Sequence, residues 1–299
     1  MRMRWRASDT VDPVTYQSLS RVESAVLDEQ ALANLQVREK DASGLTIFIS
    51  TWNHRAHLPV SVRSALRSLD VLGEAGFPAE VIVIDDASRD GSQKLLRSIQ
   101  QVYEEPRLKT LFLNRNLGVA RLRNLALEMS RFSYVCLLDA DNELLPENLP
   151  LFLRSIKQTK AALVHGNLIT RQEGEVVRLK SCQPVNMKLT SQSQIDAFSL
   201  VDARRLLGIG GYNPRFYSGE DWEMVLHLVY EEEKIVFVPA VLGYYNIVAG
   251  SKFRNAKPHY ETDLGPLLRR MYAQSGTREW DPVEVGRAYH PDVGYIEGL

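Results

Sequence analysis

The chain has 299 residues, 44% of them hydrophobic and 24% charged, so it is long enough to bury a sizeable core as one α/β domain with additions. A formal net charge of −1 gives it no electrostatic preference for nucleic acid. Its two cysteines, Cys136 and Cys182, exclude a disulfide-built scaffold and fit a reducing compartment.

Residues 1–43 are predicted to form a helical extension or linker. Apolar residues recur at helical spacing from Tyr16 to Val37, and Asp41–Gly44 ends that pattern. The basic start, MRMRWR, lacks the apolar core of a signal peptide, and no run in the chain reaches the ~20 apolar residues of a membrane span. A solvated chain end and a contact with an anionic membrane surface both fit this start. The expected location is cytoplasmic, with peripheral association at the inner face of the membrane left open.

Strands and helices alternate in the next part of the chain. Short β-prone runs predict buried strands at Leu45–Ser50, Val81–Ile84, Leu111–Leu113 and Tyr134–Leu138. Helical spacing of apolar residues predicts helices over Leu58–Leu69, after a capping Ser92, and over Leu117–Met129. A strand–helix repeat of ~30 residues is typical of a parallel sheet with helices on both faces. Ligands of such sheets bind beyond the carboxyl ends of the strands.

After Leu163 the pattern changes without indicating an independent domain. The predicted features are a hairpin over Leu168–Leu179 that turns at Glu173–Gly174, an apolar segment at Ile195–Val201, a helix from about Asp221 to Glu231 and a strand at Ile235–Val238. The predicted division is an N-terminal extension (1–43), a main domain (44–250) and a C-terminal extension that packs on it (251–299).

The fourth predicted strand runs into Asp139, Asp141 and Glu143 within the segment CLLDADNELLP. In an extended chain these alternate acids point the same way, where their charges repel. A solvated turn is one interpretation. A Mg²⁺ or Mn²⁺ site for a diphosphate is another, because such ions take one or two carboxylates together with phosphate oxygens. An EF-hand calcium loop is excluded, because Leu144 and Pro150 stand where that loop needs Gly and a ligating side chain.

Two further acid pairs bear on this choice. Asp85–Asp86 follows the second predicted strand, so two strand ends carry carboxylates, which favours a polar ligand at the edge of the sheet. Glu220–Asp221 begins a predicted helix, where interaction with the helix dipole is a sufficient explanation for this pair alone. The Gly-rich approach to it, GIGGYNPRFYSG, indicates a backbone that comes close to another molecule. The sequence has neither a G-x-G-x-x-G turn after the first strand nor a P-loop.

Together these segments resemble the GT-A-type glycosyltransferases of family 2, a large inverting group. The resemblance is carried, in order, by FISTWNHRAHLPVSVRSAL, VIVIDDASRDGS, NRNLGVARLRNLAL, YVCLLDADNELLPENL and GGYNPRFYSGEDWEMVLHL. They span about Leu45 to Tyr245, or about two thirds of the chain. The resemblance implies an α/β fold with a mostly parallel central sheet flanked by helices. It also implies transfer of a sugar from a nucleotide-diphospho-sugar, usually a UDP-sugar, to an acceptor hydroxyl, as in polysaccharide biosynthesis.

The resemblance assigns nucleotide-sugar binding to Ser50, Thr51, Trp52, Asp85, Asp86, Arg121, Arg123, Asp139 and Ala140. Ser50–Trp52 corresponds to the turn that meets the nucleobase. Asp86, with Asp85 beside it, corresponds to the acid that hydrogen-bonds the base. Arg121 or Arg123 is expected to supply positive charge near the diphosphate and sugar.

The resemblance also implies a metal and a catalytic base. Asp139 and Asp141 match a D-x-D motif that holds Mn²⁺ or Mg²⁺, with Asp141 as the direct ligand and Asp139 as its support, whereas Glu143 is expected to be a solvated neighbour. Glu220 and Asp221 match the catalytic acid pair, with Asp221 as the base. In the implied mechanism the metal neutralises charge on the departing diphosphate, and Asp221 takes the proton of the attacking hydroxyl. Attack from the opposite face inverts the anomeric configuration.

The sequence departs from the family pattern after the last predicted strand. Asn246 and Val248 stand where many relatives have Arg and His, the latter often a metal ligand, and His259 or Lys252 are the candidate substitutes. No C-terminal membrane anchor is apparent, so the processive membrane synthases are not the expected model. An alternative function is a module of the same fold that binds a nucleotide sugar without transferring it. A nucleotidyltransferase would need a Gly- and basic-rich loop where this chain has TWNHRAH. The acceptor, whether carbohydrate, lipid-linked or protein, is expected to contact Asn167–Tyr217.

Overall fold

The computed structural model describes residues 39–180, 195–216, 218–248, 287–291 and 294–297. The helix predicted between Tyr16 and Val37 lies outside these residues, as do Lys252, His259 and most of the predicted C-terminal extension. The division of the chain into three parts therefore stays a prediction.

The elements follow the predicted alternation. The strands are β1 (Asp41–Thr51), β2 (Ala79–Asp85), β3 (Leu108–Phe112), β4 (Phe132–Asp139), β5 (Glu143–Leu144), β6 (Leu163–Gln172), β7 (Glu175–Lys180), β8 (Leu200–Asp202), β9 (Ile235–Ile247), β10 (Arg287–His290) and β11 (Gly294–Glu297). The helices are α1 (Leu58–Glu74), α2 (Ser92–Tyr103), α3 (Val119–Met129), α4 (Leu149–Thr159), α5 (Ala203–Gly208) and α6 (Glu220–Tyr230). A 3₁₀ turn at Pro146–Asn148 precedes α4.

Among the described residues, nine strands form one sheet in the order β3-β2-β1-β4-β8-β6-β9-β5, with β7 paired to β6. The pairs β1–β2, β2–β3, β1–β4 and β6–β9 are parallel. Strand β8 is antiparallel to both β4 and β6, and so joins the two parallel parts of the sheet. The predicted α/β class, with a mostly parallel central sheet, is confirmed.

The core lies on both faces of this sheet. Successive side chains of a strand point to opposite faces, so in β1 Ile47 and Ile49 pack on one side and Phe48 on the other. Helices α1, α2 and α4 cover the first face, and α3, α5 and α6 cover the second. With both faces covered, the central strands are continuously apolar, which is why the sequence shows runs such as LTIFI instead of alternation.

The register of the parallel strands places their polar ends together. Thr51 at the end of β1 lies opposite Asp85 on β2, and Ser50 lies opposite Asp139 on β4. Since all three strands run in the same direction, the acids that follow two of them meet at one edge of the sheet. This edge is where the candidate site forms.

Three local details differ from the sequence-based expectations. Helix α2 is capped by Gly91, with φ 91°, instead of Ser92, whose hydroxyl donates to Asp90 Oδ1 (2.6 Å). Strand β1 starts at Asp41, so the segment Asp41–Gly44 that was expected to break the pattern lies inside a strand. Strand β9 continues beyond Val238 to Ile247 and reaches the candidate site. No described helix is long and apolar enough to cross a membrane.

Candidate active site

Strand β4 ends at Asp139, and the chain then turns through Ala140 and Asp141 toward β5. The Asn142 N–H donates to the Asp139 carbonyl (2.9 Å), and the Ala140 N–H donates to the Ser50 carbonyl on β1 (3.0 Å). The Ser50 hydroxyl also donates to Asp139 Oδ1 (2.7 Å). The neighbouring parallel strand therefore fixes the start of this turn, which we call the acid turn (residues 139–142). The expectation that three alternate acids point the same way does not hold, because the chain is extended only as far as Asp139.

Asp141 lies in the acid turn with its carboxyl partly shielded from water. Burial, followed by the negative charge of Asp139, raises the pKa of Asp141 to about 7. An ordinary aspartate has a pKa near ~3.9, so this environment disfavours the charged form of Asp141 relative to a solvated aspartate, and a bound cation would favour it. Carboxylate oxygens are the donors that Mg²⁺ and Mn²⁺ prefer.

Arg123, on α3, connects the acid turn to the second acid pair. Its side chain is almost fully buried, with Nη2 3.5 Å from Asp139 Oδ1 and Nη1 donating to Glu220 Oε1 at 3.0 Å. The guanidinium carbon of Arg123 lies over the ring of Tyr212, 5.3 Å from the ring centroid. Because one arginine contacts both acids, the D-x-D and E-D segments meet in a single site although they are far apart in the sequence.

The Glu220–Asp221 pair opens helix α6, which follows Gly219 in a left-handed conformation (φ 79°). Asp221 Oδ1 accepts the Trp222 N–H (2.8 Å). Burial, followed by the negative charges of Glu220 and Asp196, raises the pKa of Asp221 to about 7. A carboxyl that titrates near neutral pH is suited to accept a proton at working pH.

Two residues that the sequence analysis did not assign to the site also face these acids. The charge of Asp196, just before β8, contributes to the raised pKa of both Asp141 and Asp221. Burial raises the pKa of the Tyr245 phenol, and the charges of Asp196 and Asp141 add to the effect. Neither residue belongs to a recognisable motif, so only the fold, which places Asp196 ahead of β8 and Tyr245 near the end of β9, reveals them.

The loop after β1 is bound to the loop after β2. The Asn53 N–H donates to Ser88 Oγ (2.8 Å), and Asn53 Oδ1 accepts the Arg89 N–H (2.8 Å). Asn53 adopts a left-handed conformation with φ 55°, which asparagine tolerates better than most residues. Trp52 precedes Asn53 in the loop after β1 and is 49% exposed, so its indole is accessible to a planar ligand.

Asp85 and Asp86 are both buried at the end of β2. The Asp86 carboxylate accepts the backbone N–H groups of Leu117 (2.6 Å) and Gly118 (2.9 Å), which fixes the approach to α3. Asp85 Oδ1 accepts the Gln93 side-chain amide (2.8 Å). Asp85 Oδ1 also accepts the Ser88 N–H (2.9 Å), so both carboxylates organise the backbone around the end of β2.

The remaining predicted residues occupy different environments. Thr51 and Ala140 are buried at the end of β1 and in the acid turn, whereas Arg121 is exposed on the first turn of α3. Glu143 was expected to be solvated, and this is wrong. It lies in β5 and forms an ion pair with Arg171 on β6 (2.7 Å), which explains how a carboxylate is held within the sheet.

The residues of the acid turn fit a metal ion bound together with a phosphate-bearing ligand. The described residues contain no group of three or more His, Cys, Asp or Glu side chains that could hold a metal ion. Mg²⁺ bound with a nucleotide diphosphate commonly takes only one or two protein carboxylates, and Asp141 with Asp139 meets that requirement. Asn246, at the position where a basic residue was expected, donates its amide to the Asp141 carbonyl (2.6 Å).

Comparison with known proteins identifies the family. The family model described as glycosyl transferase family 2 matches residues 46–201, more than half of the chain. An undecaprenyl-phosphate 4-deoxy-4-formamido-L-arabinose transferase from Aeromonas hydrophila is 32% identical over 118 residues, which is 40% of this chain and 35% of that protein. The match to this and three other curated relatives covers between 29% and 37% of their length.

Solved structures of similar fold bind nucleotide sugars. S. aureus TarS 1-349 in complex with UDP-GlcNAc matches with a TM-score of 0.62 at 18% identity, covering 79% of this chain and 68% of that one. The mannosyltransferase PcManGT from Pyrobaculum calidifontis, in complex with GDP-Man and Mn²⁺, matches with a TM-score of 0.57 at 16% identity, covering 84% and 71%. These likenesses confirm the predicted GT-A fold. The match of the family model to more than half of the chain shows that the chain belongs to glycosyl transferase family 2.

Proposed function

We propose that this protein is an inverting glycosyltransferase that moves a sugar from a nucleotide-diphospho-sugar, with UDP as the nucleotide, to an acceptor hydroxyl. The observation that carries the proposal is the contact of buried Arg123 with both Asp139 and Glu220, because it joins the two acid motifs in one site. Membership of the family supports sugar transfer as the reaction.

The donor is proposed to lie across the carboxyl ends of β1, β2 and β4. The exposed indole of Trp52 would stack on the nucleobase, a contact worth about 1–3 kcal/mol per base in proteins that bind single strands. Ser50, Thr51, Asp85 and Asp86 line the ends of the strands beside it. The nucleotide sugars bound to TarS and PcManGT support a donor of this class.

Positive charge for the diphosphate comes from two arginines in different settings. Arg121 is exposed on the first turn of α3 and free of the constraint that holds Arg123. Arg123 is committed to Asp139 and Glu220, so we assign it to positioning those acids as well as to lowering the negative potential of the site. This modifies the role that the family resemblance implied for it.

Asp141, supported by Asp139 and the adjacent Ala140, is proposed to hold Mn²⁺ or Mg²⁺. Such an ion would supply positive charge to the diphosphate as it leaves. The raised pKa of Asp141 supports this assignment, because the repulsion from Asp139 that contributes to it is relieved by a cation. The Mn²⁺ in the PcManGT complex is consistent with it.

Asp221 is proposed as the general base, with Glu220 beside it. The acceptor oxygen forms a bond to the anomeric carbon while the bond from that carbon to the diphosphate oxygen breaks. The hydroxyl proton passes to the Asp221 carboxylate, and the nucleotide diphosphate departs with the bonding electron pair. Since the acceptor enters opposite the leaving group, the configuration inverts. The raised pKa of Asp221 suits it to this transfer near neutral pH.

The acceptor is proposed to be a carbohydrate, lipid-linked or protein hydroxyl in polysaccharide biosynthesis. The undecaprenyl-phosphate in the name of the A. hydrophila relative favours the lipid-linked class among these. The charge of Asp196 acts on Asp221, and the charge of Asp221 acts on Tyr245, so both residues are proposed to contact the acceptor. Cytoplasmic location and peripheral membrane association remain part of this proposal.

The test measures nucleotide release from a panel of UDP-, dTDP- and GDP-sugars with and without Mn²⁺, followed by acceptor screening. With an active pair in hand, Asp221→Asn is expected to lower kcat about 10²–10⁴-fold, the usual contribution of a general base. Asp141→Asn is expected to abolish the stimulation by Mn²⁺. Asp70→Asn, an exposed acid on α1, is the control and should keep wild-type turnover.

Each part of the proposal has its own contrary result. Wild-type turnover by folded Asp221→Asn would remove the base assignment, and a retained anomeric configuration in the product, read by NMR, would remove inversion. Tight nucleotide-sugar binding without turnover across the whole donor and acceptor panel would favour the non-transferring binding module instead.

A further inference from the structure

Asn246, near the end of β9, forms hydrogen bonds to the acid turn. The Asn246 side-chain amide donates to the carbonyl of Asp141 (2.6 Å). The backbone N–H of Asn246 donates to Asn142 Oδ1 (3.0 Å). One residue of β9 therefore contacts two successive residues of the turn.

Asn142 is in turn hydrogen-bonded to Asp139, the last residue of β4. Its side chain is 2% exposed, and its own N–H donates to the Asp139 carbonyl (2.9 Å). On the other side of the turn, the Ala140 N–H donates to a carbonyl of β1 (3.0 Å). The backbone that carries Asp139 and Asp141 is thus fixed from β1 and from β9 at once.

The chemistry of the Asn246 contact leaves the charge of the site unchanged. An arginine at this position would place a guanidinium beside the acid turn, where it would pair with a carboxylate and repel a cation. A neutral amide orients the backbone carbonyl of Asp141 and adds no second guanidinium to the one that Arg123 already places against Asp139. Loss of the amide would leave a shielded carbonyl without its partner, at a cost of about 1–3 kcal/mol, so the turn would rearrange.

We propose that Asn246 and Asn142 act as one unit that positions Asp141 and Asp139 to bind a divalent cation. The inference rests on the proposed function, which assigns the cation to those two carboxylates. Neither asparagine contacts the reacting atoms in that scheme, so both are positioning residues. Residues that orient metal ligands typically change metal affinity about 10–100-fold when they are substituted.

The test is binding of Mn²⁺ to the full chain, alone and with UDP, measured from the electron paramagnetic resonance signal of the free ion. Asn246→Ala and Asn142→Ala are each expected to weaken Mn²⁺ binding about 10-fold or more. Because the two residues act as one unit, the double variant should bind no more weakly than the weaker single variant.

Asn148, in the 3₁₀ turn before α4, supplies a matched control that bonds to the same strand. It is 1% exposed, and its side-chain amide donates to the Val241 carbonyl of β9 (2.7 Å), as Asn246 donates to a carbonyl of the acid turn. Asn148→Ala is expected to lower stability but to keep wild-type Mn²⁺ affinity. Urea unfolding curves establish that each variant is folded under the assay conditions, and Asn142→Ala tests the same turn if Asn246→Ala does not fold.

The outcomes separate this inference from the function on which it rests. Wild-type Mn²⁺ affinity in a folded Asn246→Ala or Asn142→Ala variant, or an equal loss in Asn148→Ala, would overturn the positioning role and leave the proposed function intact. Multiplicative losses in the double variant would show that the two residues do not act as a unit. Absence of Mn²⁺ binding by the wild type with UDP would overturn the metal assignment and this inference together.

Discussion

Replacement of Arg123 by methionine should destabilise the fold through the acids that it leaves behind. The Arg123 and Glu220 side chains are only 4% and 9% exposed, so the substitution removes a cation from contact with a largely buried carboxylate. Removing one partner of a buried ion pair costs about 3–5 kcal/mol in comparable cases. The Asp139 side chain is 37% exposed, so the loss of its 3.5 Å contact adds little. At about 2–4 °C per kcal/mol for a domain of this size, Tm should fall roughly 6–20 °C.

The assay is urea unfolding followed by tryptophan fluorescence, with Arg121→Met as the matched control. Arg121 lies on the same helix but is exposed, so its removal should change the free energy of unfolding by less than about 0.5 kcal/mol. A double variant, Arg123→Met with Glu220→Gln, should be more stable than Arg123→Met alone, because the buried negative charge that Arg123 contacts is removed as well. An Arg123→Met protein within about 1 kcal/mol of the wild type would refute the reasoning, since the contact would then not hold the two motifs together.

Two predictions concern pH. The pKa of Asp221 is raised to about 7, so below that value its carboxyl is mostly protonated and unable to act as a base. We therefore expect kcat at saturating Mn²⁺ to rise with pH up to about 7 and then to level off. A profile that is flat from pH ~5.5 to ~8.5 would contradict this. Burial lowers the pKa of His165 to about 3. Between the ordinary histidine pKa of ~6.5 and this value, the unfolded chain binds a proton that the native protein does not. The free energy of unfolding should therefore fall as the pH is lowered. His165→Leu should remove about 2 kcal/mol of that decrease between pH ~6.5 and ~4.5 in urea titrations, and the same slope in wild type and variant would contradict it.

The sheet could be predicted from the sequence because its strands are buried on both faces. A run such as VIVI has no polar alternation, and in a chain with helical segments on either side it indicates a central parallel strand. The carboxyl ends of parallel strands lie at the same edge of a sheet, so the sequence alone assigns Asp85 and Asp139 to one edge. The sequence is less informative where the local signal is polar, as at Ser92, whose hydroxyl donates to Asp90 and does not cap the helix.

Other features of the site depend on contacts between distant segments, which the pattern of a single segment does not reveal. Asp196 and Tyr245 reach the acids because β8 runs antiparallel to β4 and because β9 extends to Ile247. Glu143 looked like one more acid of the turn, but its partner Arg171 lies on a different strand. Assignment of Arg123 to the diphosphate overlooked its burial, which follows from the packing of α3 and is not visible in the spacing of its own helix.

The contacts of Arg123 give the two residues of each acid motif different roles. Its guanidinium contacts the first acid of each motif, Asp139 and Glu220. The second acids, Asp141 and Asp221, have pKa values raised to about 7. A carboxylate held by a buried guanidinium is a weaker metal ligand, because its charge is already compensated. Arg123 therefore holds the two motifs together through their first acids. The second acids are left for the chemistry, with Asp141 to bind a cation and Asp221 to accept a proton.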